Sequence, residues 1–279
     1  MTAPDAAPEA AASLLARLSG NTDELPVADA ALAFAALARP GLDVVPYRAI
    51  LADLAGQVAA VAPDDADLEA ANNALRVVLT ERAGFTGDTE TYDDLDNADL
   101  ARVIDRRRGL PVTLGILWMA TARAQGWRMV GLAFPGHFLV RLEVAGERVI
   151  VDPFAGGLVC DAARLRLLLK AMTGEAGKLG AEHYAAVSDR DVLLRLQNNI
   201  RLRLTQSGEL PRALGVVESM LLLAGDEAGL WREAALLNAT LERLGQAVAC
   251  LETGLTRTTD PLERRRIMTL LEQMRGRLN

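Results

Sequence analysis

The stretch GLAFPGHFLVRLEVAGERVIVDPFAGG, Gly131 to Gly157, holds one of the two histidines of the chain, His137, and fifteen residues later Asp152. An imidazole beside a carboxylate is held in one tautomer, and its charged form is stabilised. Such a pair is the acid–base half of a nucleophilic site; a single His–Asp contact is also a common structural hydrogen bond in a sheet. Pro135-Gly136 places the histidine at a strand start where backbone can be approached. Pro153 ends the strand after Asp152, and Gly156-Gly157 loosens its exit.

The elements that must position this pair are a hairpin and a helix. RMVGLAF, HFLVRLEV and RVIVD read as strands, with AGE as a tight turn between the last two. With the turn centred on Ala145-Gly146, Glu143 falls opposite Arg148, an opposite-charge pair that favours this register. Phe138, Val140 and Leu142 then share an apolar face with Val149 and Val151. His137, Leu139, Arg141 and Glu143 share the other face with Arg148, Ile150 and Asp152. Asp152 lies opposite Leu139 and diagonal to His137, ~7–8 Å away between backbones, a gap that side chains close. Ahead of the hairpin, a helix from about Thr113 ends at Gly126, read as its C′ glycine.

Elsewhere the chain reads as helical. Over residues ~20–83 apolar residues recur every three or four positions, with prolines at the joints. GFTGDTETYDDLDNAD, residues 84–99, reads as a polar loop. Its acids Asp94, Asp96 and Asp99 resemble the start of a calcium loop, but the sixth position is not Gly and the twelfth is Asp105, so that reading is rejected. Beyond Asp161, an N-cap, the pattern is helical to the end. In that tail Ala213-Leu214 and Ala247-Val248, Val217 and Leu251, and Leu221 and Leu255 repeat at 34 residues, the tetratricopeptide (TPR) spacing.

Bulk composition narrows the classes. The chain of 279 residues is 51% hydrophobic, enough for a substantial core, and its net charge of −7 argues against nucleic acid or anionic lipid as partner. The basic runs Arg106–Arg108 and Arg264–Arg266 read as solvated helix ends. No segment reaches the ~18 apolar residues of a membrane span, and the acid-bearing start lacks the basic region of a signal peptide. Cys160 and Cys250 form no CxxC and read as free thiols of a cytoplasmic protein. Two distant histidines supply no metal set, and no glycine-rich phosphate loop is present, so no cofactor is expected.

NADLARVIDRRRGLPVTLGILWMATARAQGW, then FPGHFLVRL, then VDPFAGG resemble the transglutaminase-like superfamily, specifically its bacterial SirB-type branch. The motifs are R-x-G-[LI]-P with Arg107, Gly109 and Pro111, P-G-H-F with Gly136 and His137, and D-P-F-x-G-G with Asp152, Pro153, Gly156 and Gly157. Asn97 is followed by Ala98 where the branch usually has Asn-Ser. The resemblance implies an α+β fold: a helix-rich transglutaminase-like (papain-like) core with a small antiparallel sheet, then an all-helical TPR-like tail. The expected division is a flexible 1–20, a core over 21–185 and repeats over 186–279.

In active members of the superfamily a cysteine stands at the N-terminus of the helix preceding the histidine strand, where the helix dipole and an imidazolium favour thiolate. Here that stretch is Gly109-Leu110-Pro111-Val112-Thr113, without cysteine. The resemblance thus implies a thiol site that keeps its histidine and aspartate but lacks its nucleophile. Thr113, read as the N-cap, needs a strong adjacent base to substitute. Cys160 and Cys250 read as buried structural thiols, and His183 has no partner motif. The expected function is a non-catalytic regulatory or protein-binding protein, with a protein or peptide partner on the C-terminal repeats. The alternative is a hydrolase or acyl-transfer enzyme using His137 and Asp152 with an unconventional nucleophile.

Overall fold

The computed structural model describes residues 6–20, 24–174 and 178–278. In chain order the α-helices are α1 (Ala6–Leu18), α2 (Val27–Ala38), α3 (Val45–Val61), α4 (Leu68–Leu75), α5 (Leu100–Arg106) and α6 (Pro111–Arg123). They continue with α7 (Ala162–Thr173), α8 (Asp189–Gln206), α9 (Leu210–Leu223), α10 (Ala228–Thr240), α11 (Leu244–Arg257) and α12 (Pro261–Leu278). The strands are β1 (Thr86–Gly87), β2 (Arg108–Gly109), β3 (Arg128–Gly131), β4 (Val140–Val144), β5 (Glu147–Asp152) and β6 (Leu158–Val159).

One compact unit comprises Thr22–Ala35 and Leu42–Leu196. Helix α6 runs through its interior: all but two of its 13 residues are buried. Such a helix, apolar on every side, has no solvent face to offer. The antiparallel sheet has the order β3-β4-β5-β6. Gly115 lets α6 meet it closely, since a Cβ there would stand 2.3 Å from the Phe138 ring. The hairpin register is the expected one, with Val140 opposite Val151 and Glu143 opposite Arg148. Ala145 and Gly146 both have positive φ, 52° and 85°, as the twist of a two-residue hairpin requires. The Glu143 carboxylate, however, pairs with Arg128 and Arg141, each at 2.7 Å, rather than with Arg148.

Two local readings change and one holds. His137 is not in a strand: regular pairing starts at Val140, and β3 stops at Gly131. The segment 185–187 lines the far edge of that end, with Leu132 bridged to Ala186. Thr113 is not the N-cap of α6. Leu110 holds that position and Pro111 takes the first helical turn, because proline has no N–H to lose and its fixed φ suits the start of a helix. Asp161 does cap α7, accepting the Arg164 N–H at 2.8 Å.

The second unit comprises Met1–Asn21, Ala36–Gly41 and Gln197–Asn279. Helices α9 and α11 begin 34 residues apart, and the repeat-related pairs Ala213 and Ala247, Val217 and Leu251 are all buried. Gly254 brings α11 against α10, where a Cβ would meet that of Trp231 at 3.1 Å. Helix α1 packs on α9, with Leu15 fully buried and Ala11 nearly so. The terminal segment read as flexible therefore contains a docked helix, while residues 1–5 lie outside the described residues. The compact core ends within α8, at Leu196, rather than at residue 185.

Candidate functional site

The site grows from two loops at the end of the sheet. Asp152 is the last residue of β5, and the turn after it folds back: the Pro153 carbonyl accepts the Gly156 N–H at 3.2 Å, and the Asp152 carbonyl accepts the Gly157 N–H at 2.9 Å. Gly157 has φ 81°, and a Cβ there would lie 2.1 Å from the Trp118 ring of α6; no other residue type fits. This loop aims the Asp152 side chain inward, 2% exposed. Its Oδ1 accepts the Phe154 and Ala155 N–H groups at 3.0 and 3.3 Å. His137 Nε2 stands 3.0 Å from the same oxygen. The geometry is that of an orienting carboxylate behind an imidazole.

His137 is held from its backbone as well. Arg195, on α8, donates to the His137 carbonyl at 2.8 Å and to the Phe134 carbonyl at 3.4 Å. Its guanidinium stacks 5.4 Å from the centre of the Phe138 ring. Burial pulls that guanidinium below its ordinary pKa, with Tyr92 acting the other way. Gly136, with φ 71°, lies under the Met172 side chain, which a Cβ would meet at 2.8 Å. The Phe154 ring meets the imidazole edge-on at 5.9 Å, and Tyr92 meets Phe154 at 6.0 Å. Arg195, Phe154, Tyr92 and Met172 were not singled out from the sequence. Phe154 was visible inside D-P-F, whereas Arg195 sits in a helical run, 58 residues from the backbone it holds.

The remaining motif residues build the frame. Strands β1 and β2 pair in parallel, Gly87 with Gly109, and the Gly87 N–H donates to the Phe154 carbonyl at 3.2 Å. Arg107 takes a left-handed C-cap on α5, its guanidinium 4.6 Å over the Phe85 ring. Arg106 forms ion pairs with Asp88, Asp94 and Asp96, and Arg108 with Glu90, so the acids of the 84–99 loop and the basic run neutralise each other. The Asn97 carbonyl accepts both the Leu110 N–H at 2.9 Å and the Thr113 hydroxyl at 2.8 Å.

The start of α6 carries no cysteine. At the start of α6 Pro111, Val112 and Thr113 are all buried, and the Thr113 hydroxyl is spent on Asn97. Cys160 belongs to an apolar cluster with Leu132, Phe134, Leu139, Leu165 and Leu169. Burial, helped by the Asp152 charge, pushes its thiol up to about 11, the reverse of what a nucleophile needs. Cys250 is likewise raised by burial. His183 is engaged locally, its Nδ1 accepting the Gly180 N–H at 2.9 Å. Among the described residues no group of three His, Cys, Asp or Glu is placed to hold a metal, and no helix is long and apolar enough to cross a membrane.

Residues 46–198 match the transglutaminase-like superfamily, and residues 200–272 match the tetratricopeptide repeat. A UPF0162 protein of Xylella fastidiosa Temecula1 is 31% identical over 161 residues, 57% of each chain. A UPF0162 protein of Pseudomonas aeruginosa PAO1 is 30% identical over 224 residues, 78% of this chain and 79% of that one. Protein SirB1 of Salmonella typhimurium is 26% identical over 160 residues, 57% of this chain and 59% of its own. The match thus spans under two thirds of the Xylella and Salmonella proteins, but most of the Pseudomonas one. With its His–Asp loops set on a helix-rich core and a 34-residue helical repeat following in sequence, the chain belongs to the transglutaminase-like superfamily, in its SirB type with a TPR tail.

Proposed function

We propose that this protein is a non-catalytic regulatory or protein-binding protein of the cytoplasm, whose transglutaminase-like core is degenerate and whose helical repeats hold a protein or peptide partner. The observation that carries this reading is the first turn of α6: where the chemistry requires a thiol, the chain has Pro111, Val112 and a Thr113 hydroxyl already bonded to Asn97. Acid–base groups alone supply ~10²–10⁴-fold in rate, well short of the ~10⁶-fold and more of enzymes. On the tail, Leu202 of α8 and Leu236 of α10 stand 34 residues apart and are 48% and 39% exposed. Apolar groups repeated at one position of a stacked array suit a helical or extended ligand.

The intact His137–Asp152 contact of 3.0 Å favours a second reading, a hydrolase or acyl-transfer enzyme with an unconventional nucleophile. An electrophilic acyl probe followed by peptide mapping separates the two. The first reading expects no adduct on Thr113 or Cys160; a His137-dependent adduct at either would establish the second. In parallel, Leu202→Asp with Leu236→Asp is expected to abolish capture of a specific partner from native lysate, while His137→Ala leaves it intact. Loss of capture with His137→Ala and not with the paired leucine variant would refute the assignment of the partner to the repeats.

A further inference from the structure

We propose that His137 is a recognition residue: its Nδ1 is a bare acceptor that receives a hydrogen bond from a neutral hydroxyl borne on an apolar or aromatic body. The inference rests on the reading of the core as a binding site rather than a turnover site. It begins with Asp152, whose Oδ1 already accepts two backbone N–H groups, from Phe154 and Ala155. An oxygen so placed is an acceptor, so the hydrogen between it and the imidazole resides on Nε2. A neutral imidazole carries one N–H only, which leaves Nδ1 as a lone pair. Among the described residues nothing donates to that nitrogen, although the side chain is only 10% exposed. The nitrogen lies at the accessible edge of an otherwise enclosed ring, so an arriving donor can replace water there.

The surroundings select the donor. A carboxylate or phosphate would set its own lone pairs against Nδ1. An ammonium would approach the Arg195 guanidinium, which is fixed on the carbonyl of the same histidine. A neutral hydroxyl has neither conflict. Two exposed apolar side chains stand against the immediate neighbours of the imidazole, Gly136 and Phe154. Met172, 45% exposed, covers Gly136, and Tyr92, 40% exposed, stands beyond Phe154. Methionine adapts to irregular apolar partners, and aromatic rings take one another edge-on. Phenol is the simplest ligand that meets both demands. Arg195 acts as the positioning residue, because it fixes the carbonyls at both ends of the Phe134–His137 loop.

The chain has two histidines, so the full protein labelled with ¹⁵N-histidine gives two resolvable sets of ring signals. At a pH where imidazole is neutral, His137 is expected as the Nε2–H tautomer with unprotonated Nδ1. Added phenol is expected to shift the Nδ1 signal saturably, whereas anisole, the same body without the donor, binds about tenfold more weakly or less. His183, whose Nδ1 is already engaged by Gly180, is expected not to respond. An Nδ1–H tautomer, an equal response to anisole, an equal response of His183, or no response to phenol would each overturn the proposal. Arg195→Met should weaken the phenol response and mix the two tautomers, with Arg195→Lys restoring part of both. A pure Nε2–H tautomer and unchanged phenol response in Arg195→Met would refute the positioning role. These readings are independent of the acyl probe: labelling at Thr113 or Cys160 defeats the non-catalytic reading, and failure of the phenol titration leaves the repeats' partner untouched.

Discussion

The Asp88 carboxylate is 1% exposed. It accepts the Thr91 hydroxyl at 2.6 Å, the Thr91 N–H at 2.8 Å and the Glu90 N–H at 3.0 Å. Led by the Thr91 hydroxyl, and against the opposing effect of burial, these bonds hold its pKa at about 2. An unfolded aspartate titrates near ~3.9. Because the folded value is the lower one, the stabilisation is complete above ~4 and disappears as pH falls through about 2. Asp88→Asn removes this pH-dependent share, on the order of 1 kcal/mol. Urea unfolding of both proteins should show their gap narrowing between about pH 4 and 2; a gap independent of pH would count against it. At this scale legibility followed locality. Extending the hairpin register put His137 and Asp152 on one face, and they do meet, although His137 lies in the loop ahead of the first paired residue. Asp88 lay in a segment read only as polar, and Arg195 acts through contacts that no local spacing encodes.

Among the elements, the hairpin shows what pattern can and cannot give. Its register followed from one turn and one charge pair, and the structure has that register. The start of its first strand did not follow: VRLEV alternates, but Phe138, Leu139 and Val140 are apolar and buried in succession. Alternation reports which side chains face inward, not where ladder bonds begin. Arg195 takes the carbonyls of Phe134 and His137, and Gly136 turns the chain at φ 71°, so pairing starts only beyond them. The N-cap of α6 was misplaced for a related reason: Thr113 has the right side chain, but Pro111 has the stronger backbone constraint. The turn itself carries strain. Ala145 sits at φ 52°, where a Cβ costs ~1–2 kcal/mol, and asparagine tolerates that region better. Ala145→Asn should therefore stabilise the protein by about 0.5–1 kcal/mol, read as a raised Tm. An unchanged or lowered Tm would mean that Ala145 relaxes without strain.

For the whole molecule, composition and period conveyed the division into a mixed core and a repeat tail, since stacked repeats must recur in sequence. They did not convey that α1 docks on α9, because an alanine-rich amphipathic start looks the same whether docked or free. Nor did they reveal what closes the core unit, where segments distant in sequence converge on Arg123. At the end of α6 this side chain, 11% exposed, forms two hydrogen bonds to the Asp189 carboxylate at 2.7 and 2.9 Å. It also donates twice to the Met129 carbonyl, at 2.7 and 3.0 Å. Asp189, at the start of α8, accepts the Leu25 N–H at 2.8 Å as well. One ion pair thus joins α6, the approach to α2, β3 and the start of α8. Replacing one partner of a buried pair strands the other, typically at a cost of ~3–5 kcal/mol. Arg123→Ala is expected to fall in that range by urea unfolding, and Arg123→Lys to recover only part of it, because an ammonium cannot bond the carboxylate and the Met129 carbonyl through one planar fork. Removing both groups, as Arg123→Met with Asp189→Asn, should cost less than Arg123→Ala alone, since no charge remains buried and the asparagine oxygen can still accept the Leu25 N–H. If instead the double variant is the less stable, the convergence at Arg123 depends on the charges themselves and not on their mutual neutralisation.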